Sequence, residues 1–211
     1  MKKNLFITFE GIDGSGKSTQ LRLLADDLRF RGFNVLTTHQ PGGTPLGRRL
    51  REAFLETEEN VAPMAELLLF AADRAQHVEF LIKPALAEGK IVLSDRYADA
   101  TAAYQGAGRG FDAKTIKQVI QLATDGLKPD LTLFFDLPVS IGLQRTTKRD
   151  EMGELKNRLD KENSEFYERV RNAYLEIIDK EPKRFRVIDA TFSVEEVHAK
   201  ALQFLTDYLK K

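Results

Sequence analysis

Gly11, Ile12, Asp13, Gly14, Ser15, Gly16, Lys17 and Ser18 match G-x-x-x-x-G-K-[ST] at every defined position. Glycines at those sites let the backbone curl so that several N–H groups converge on one anion. A helix starting at Lys17 adds partial positive charge at its N-terminus. Lys17 then reaches the β- and γ-phosphates of a nucleotide, and the Ser18 hydroxyl ligates Mg²⁺. Gly11 to Thr19 are thus the expected contacts of a nucleoside triphosphate. A second group, Asp95 and Arg96, follows the apolar run Ile91–Ser94. A carboxylate there can hold Mg²⁺ through water or orient an acceptor phosphate, and the guanidinium beside it offers a planar fork to phosphate oxygens. Alone, the pair also reads as a structural ion pair at a strand end. The chain has no Asn-Lys-x-Asp motif for reading guanine.

These groups need a frame. Five short apolar runs, Leu5–Phe9, Val35–Thr38, Ile91–Ser94, Leu131–Leu137 and Phe185–Ile188, are near-continuous rather than alternating. That is the pattern of strands covered on both faces. Between them, apolar residues recur at helical spacing: Leu21, Leu24, Ala25 and Leu28; Ala65, Leu68, Leu69 and Ala72; Ile116, Val119, Ile120 and Ala123; and Val197, Ala201, Phe204, Leu205 and Tyr208. Strands alternating with helices predict an α/β fold, a parallel sheet with helices on both faces. No internal repeat or linker divides the 211 residues, so one domain over 1–211 is expected.

Composition narrows the function. Apolar residues are 42% and charged residues 30% of the chain, a globular balance. Lys plus Arg, 32, cancels Asp plus Glu, 32, so no basic excess favours nucleic acid. With no cysteine, a thiolate nucleophile, a disulfide framework and a Cys-ligated metal are all excluded. Leu67 to Ala72 is the longest apolar stretch, far below the roughly 20 residues of a membrane helix. No signal peptide is visible, and a soluble, cytoplasmic protein without membrane contact is expected. Arg145 to Arg158 is crowded with charge and reads as a solvated segment unless a phosphate site lies nearby.

Further motifs make the reading specific. Phe9 to Gln20, Pro41 to Thr44, Leu69 to Arg74, Asp95 to Tyr97, Ala103 to Gly106 and Phe135 to Pro138 together resemble bacterial thymidylate kinase, end to end. The resemblance is to the subtype with Gly in the phosphate loop and basic residues in the lid. It implies a P-loop nucleoside monophosphate kinase fold with a five-stranded parallel sheet and a lid at about 142–160. The implied reaction transfers the γ-phosphoryl group of ATP to thymidine 5′-monophosphate, giving dTDP for dTTP synthesis and DNA replication. Mg²⁺ and a homodimer are implied too.

Residue roles follow from the same resemblance. Asp13 corresponds to the carboxylate that meets the sugar 3′-hydroxyl or the metal shell, and Ser18 and Asp95 to the metal side. Phe70 corresponds to the ring stacked on thymine and Arg74 to the donor for its 4-carbonyl. From spacing alone Phe70 is an ordinary core ring. Thr101 and Gln105 fall where the base edge is read, Tyr104 where a ring crowds the sugar 2′ position, and Arg51 and Arg96 where the acceptor phosphate is held. Arg145 belongs to the lid, against adenine. Gly14 stands where some members carry a loop arginine, so the catalytic cation is expected from Lys148 or Arg149, with Arg158 next. His39-Gln40 replaces a common Arg-Glu, Ala100 a common Ser, Phe135 a common Leu, and Asn157 to Asp160 a common Asp-Arg-x-Glu. His39, His77 and His198 show no metal or triad spacing. Two rivals are a deoxynucleoside kinase acting on a 5′-hydroxyl and a P-loop ATPase acting as a switch.

Overall fold

A computed structural model describes residues 4–151 and 158–210, with backbone only for 149–151. Five strands, β1 (Leu5–Glu10), β2 (Val35–His39), β3 (Ile91–Asp95), β4 (Leu131–Asp136) and β5 (Phe185–Asp189), form one parallel sheet in the order β2-β3-β1-β4-β5. All five expected strands are present. Four run one residue further than their apolar runs, into Glu10, His39, Asp95 and Asp189, while β4 stops one residue short, at Asp136. The sheet thus delivers polar side chains to its carboxyl edge, where open α/β sheets bind ligands.

Both faces are covered. Leu5, Ile7 and Phe9 of β1 enter one apolar cluster and Phe6 enters another, with Leu93 and Val92 of β3 divided the same way. All six β1 residues are buried, which explains the unbroken apolar run. The helices are α1 (Lys17–Phe30), α2 (Pro45–Leu55), α3 (Pro63–His77), α4 (Lys83–Ala87), α5 (Ala98–Thr101), α6 (Ala113–Thr124), α7 (Val139–Glu151), α8 (Ser164–Lys180) and α9 (Val194–Leu209). Proline opens α2 and α3, and the Thr44 hydroxyl caps α2 by accepting from Gly47 N at 3.0 Å. In α1, Leu21, Leu24, Ala25 and Leu28 are buried as their spacing requires, and truncating Leu24 would cost about 2–5 kcal/mol.

Helix α3 corrects the reading of its stripe. Ala65, Leu68 and Ala72 are exposed and Leu69 is only half-buried, while Glu66, Leu67, Phe70, Asp73, Arg74 and His77 face inward. The apolar repeat marks the outer face, because the inner one carries charge. From Val78 to Ile82 the helix widens into π-helical turns, and a second π-helical segment, Ala102–Gly108, continues α5. The expected lid, about 142–160, begins inside α7. Residues 152–157 of it, and the side chain of Arg149, lie outside the described residues.

Candidate active site

The phosphate loop joins β1 to α1. Gly14 has φ +79°, and a Cβ there would sit 2.6 Å from the Gly142 carbonyl of α7. Gly142 is equally constrained, since its own Cβ would lie 2.8 Å from Asp13 O. Helix α7 therefore rides directly on the loop, and this geometry admits no loop arginine at position 14. Lys17 is buried, with Nζ donating to Ile12 O at 2.7 Å and Ser15 Oγ at 3.3 Å. Burial and the charge of Arg96 bring its pKa down to about 8. Ser18 Oγ donates to Asp95 Oδ2 at 2.5 Å, so the two residues expected at the metal stand together.

Arg96 links the loop to the pocket behind it. Its φ is +67°, a left-handed conformation that its neighbours hold in place: Arg96 N donates to Phe9 O, and Tyr97 N to Glu10 Oε1 at 2.7 Å. Its guanidinium donates to Gly11 O at 3.0 Å, Asp13 Oδ1 at 2.7 Å and Tyr104 Oη at 2.9 Å, and lies over the Tyr104 ring. Burial pushes the Asp13 carboxyl up, but Arg96 and Lys17 outweigh it and hold the pKa at about 2. Tyr104 Oη in turn donates to Asp13 Oδ2 at 3.2 Å. Glu10, fully buried, is raised to about 7 by burial and by Asp99.

Beyond Arg96 lies a half-open cavity with Phe70, Arg74, Thr101, Tyr104 and Gln105 in its wall. Phe70 packs edge-on against Phe54, centroids 4.8 Å apart. Arg74 is 2% exposed and spends three of its five N–H groups on Gln40 Oε1 (2.8 Å), Thr101 Oγ1 (2.6 Å) and Tyr97 O (3.0 Å). Two remain. Gln40 thus supplies an acceptor for Arg74 at the position where the resemblance implies a common Glu. Ala100 also lines the cavity.

A larger open cleft lies on the other side, lined by Asp13, Gly14, Gly16, Lys17, Ser18, Thr19 and Asp95 of the loop region, and by His39, Arg145, Phe192 and Val194. Asp13, Gln40, Arg51 and Arg96 line both spaces, so the two meet there. Arg145 Nη1 donates to Gly14 O and Ala190 O, each at 3.2 Å. Lys148 is exposed on α7. Arg158 is committed elsewhere, donating to the Glu66 carboxylate and to Phe54 O.

Sequence reasoning missed Glu66, Arg109 and Phe192. Glu66 is fully buried beneath the cavity wall, yet no motif marks it; the only available signal is a charge at helical spacing from Arg74 on an otherwise apolar turn. Burial, then the charge of Arg74, lower the pKa of His77 to about 4, and its Nε2 contacts Thr38 Oγ1 at 2.7 Å. Among the described residues no group of three or more His, Asp or Glu stands together in a metal-ligating arrangement.

A phosphate loop at the central strand, a Walker-type aspartate beside it and an adjoining pocket for a second ligand define a P-loop nucleoside monophosphate kinase fold. The family model described as thymidylate kinase matches residues 9–201. Curated thymidylate kinases of Desulfovibrio desulfuricans and Protochlamydia amoebophila are 46% and 49% identical, covering 98% and 97% of this chain and 97% and 93% of their own. The crystal structure of thymidylate kinase from Ehrlichia chaffeensis superposes with a TM-score of 0.77 at 38% identity, covering 96% of this chain and 98% of that one. The chain belongs to the thymidylate kinase family, whose members are phosphotransferases with ATP as co-substrate.

Proposed function

We infer that the chain transfers the γ-phosphoryl group of ATP to thymidine 5′-monophosphate, with the donor on the phosphate loop and the acceptor in the cavity behind Arg96. One observation carries this arrangement: the pocket behind Arg96 and the phosphate cleft meet at Asp13, Gln40, Arg51 and Arg96. An acceptor phosphate placed there faces the loop. One of its oxygens attacks the γ-phosphorus while the bond to the β,γ-bridging oxygen breaks, leaving ADP and dTDP. Positioning and charge neutralisation carry such a reaction.

In this reading Lys17 turns from Ile12 O to the transferring phosphate, and Arg51 and Arg96 grip the acceptor phosphate. Phe70 faces the thymine ring, the two unspent Arg74 N–H groups meet the 4-carbonyl, and Thr101 and Gln105 read the remaining edge. Tyr104, held by Arg96 and Asp13, crowds the sugar 2′ position, and Asp13 meets the 3′-hydroxyl. Arg145, with Phe192, borders the adenine. Mg²⁺ fits the Ser18–Asp95 pair, two adjoining oxygen donors that leave room for water and phosphate oxygens. When bound it neutralises charge on the β- and γ-phosphates. Lys148 and Arg149 of α7 are the proposed catalytic cations on closure.

Among the described residues no helix is long and apolar enough to cross a membrane. With ATP as donor, the cytoplasm is the proposed location. A homodimer is proposed through Met64 and Leu68 of α3, Phe80 of the π-helical turns that follow it and Leu122 of α6, all exposed large apolar residues on adjoining helical segments. Sedimentation of Leu68→Glu/Leu122→Glu as a monomer, against a wild-type dimer, would support it; a wild-type monomer would refute it. The reaction itself is tested by ³¹P NMR of ATP mixed with either dTMP or thymidine. Only the dTMP mixture should yield a β-phosphate resonance of dTDP. Formation of dTMP from thymidine would favour the deoxynucleoside kinase, and ATP hydrolysis indifferent to both would favour the switch.

A further inference from the structure

The cavity wall rests on a carboxylate that touches no ligand position. Glu66 of α3 is 0% exposed. Its Oε1 accepts from Gln105 Nε2 at 3.0 Å and Arg109 Nε at 3.2 Å, and its Oε2 from Arg109 Nη2 at 3.1 Å and from Arg158. Arg109 is itself tied down, donating to Glu162 at 2.6 Å and lying over the Phe166 ring. Burial pushes the Glu66 carboxyl up, but hydrogen bonds from Arg109, Gln105 and Arg158 outweigh it and hold it below its usual range. At neutral pH it is ionised.

An ionised carboxylate only accepts hydrogen bonds. The Gln105 amide can therefore meet Glu66 with its NH₂ group and not with its oxygen. That fixes which end of the amide is left for a ligand in the cavity that Gln105 lines. We propose that Glu66 is a specificity-determining positioning residue: it locks the Gln105 amide so that Oε1 faces the acceptor base. This rests on the reading of the cavity as the dTMP pocket. Thymine and uracil carry an N3–H that Oε1 accepts. Cytosine presents a lone pair at N3, which meets the oxygen lone pairs of Gln105. The lock thus adds a second discrimination against cytosine to that of Arg74 at the 4-position, and neither depends on the methyl group.

Glu66→Gln breaks the lock. The new amide carries a nitrogen in one oxygen position, so Gln105 can turn and offer either end. The measurement is kcat/KM for dTMP, dUMP and dCMP in wild type, Glu66→Gln and Gln105→Ala, with circular dichroism to confirm folding. In Glu66→Gln the dTMP:dCMP ratio should fall by at least about tenfold, and the dTMP:dUMP ratio should stay within about twofold, because both bases keep N3–H. A merely structural role would lower all three acceptors and leave both ratios intact, and that outcome overturns the proposal. If Gln105→Ala collapses the dTMP:dCMP ratio while Glu66→Gln does not, Gln105 reads the base but Glu66 does not set it. If Gln105→Ala leaves the ratio unmoved, the reading of the cavity wall fails and the proposal with it. Should Glu66→Gln not fold, Glu66→Gln/Arg158→Gln removes one charge of each sign and is read by the same ratios.

Discussion

Around the phosphate loop, the groups that would meet a ligand are contiguous, from Gly11 to Thr19, and much of their work belongs to the backbone. Around the acceptor cavity they come from the segment after β2, from α2, α3, α5 and the π-helical turns after it, and from Asp13 and Arg96, and every polar one is a side chain already engaged with another. Gln40 holds Arg74, Arg74 holds Thr101, and Glu66 holds Gln105. The loop can therefore bind any nucleoside triphosphate with the same few bonds, because phosphates are alike. The cavity can choose among bases because each donor or acceptor is turned by a second residue. Charge neutralisation belongs to one region and selectivity to the other.

The largest expected effect lies on the loop. Lys17→Ala should lower turnover of every acceptor by at least about 10²–10³-fold without unfolding the chain. A loss confined to one base would break the division. The same lysine should give a pH signature: with a pKa near 8 in the free protein, kcat/KM for ATP should fall as pH rises above about 8. A flat profile to pH 9.5 would contradict it.

On the cavity side, the helix that carries the selecting groups should be the part most sensitive to acid. His77 is held at about 4 against 6.5 unfolded, so the unfolded chain binds the extra proton as pH falls. The stability this contributes is present above 6.5, drains as pH falls from 6.5 to 4, and amounts to about 3 kcal/mol in all. Urea midpoints of wild type and His77→Gln at pH 7, 5.5 and 4.5 check this; the variant should show the shallower dependence. Smaller again is the lid. Arg149→Ala should lower kcat by well over roughly tenfold with modest change in KM, since the contact would form only on closure, and single-turnover measurements would show it in the chemical step. If neither it nor Lys148→Ala slows the chemical step, the catalytic cation lies elsewhere.

The same division explains what could be read before the fold was known. The five strands were legible because both sheet faces are covered, which leaves unbroken apolar runs such as Leu5–Phe9. The loop was legible because its chemistry needs consecutive residues. Helix α3 was not. Its periodicity picked Leu68 and Ala72 because the inner face spends its positions on Glu66, Asp73, Arg74 and His77, charges that only long-range partners stabilise. Gln105, Thr101 and Phe70 could be named only through resemblance, since one lies on a π-helical turn, one ends a four-residue helix and one has the spacing of a core ring. Glu66, whose partners lie 39 to 92 residues away in sequence, left only a charge on an otherwise apolar turn as its local trace.

The division of labour is tested most directly by coupled ADP release from ATP and Mg²⁺ across dTMP, dUMP, dCMP and no acceptor. Release should be fastest with dTMP and lower with dUMP, which lacks only a methyl group. It should be lower by far with dCMP, which leaves the buried Arg74 guanidinium facing an amino group, and near background without acceptor. Equal turnover of the three pyrimidine monophosphates, or ADP release that ignores the acceptor, would contradict the account.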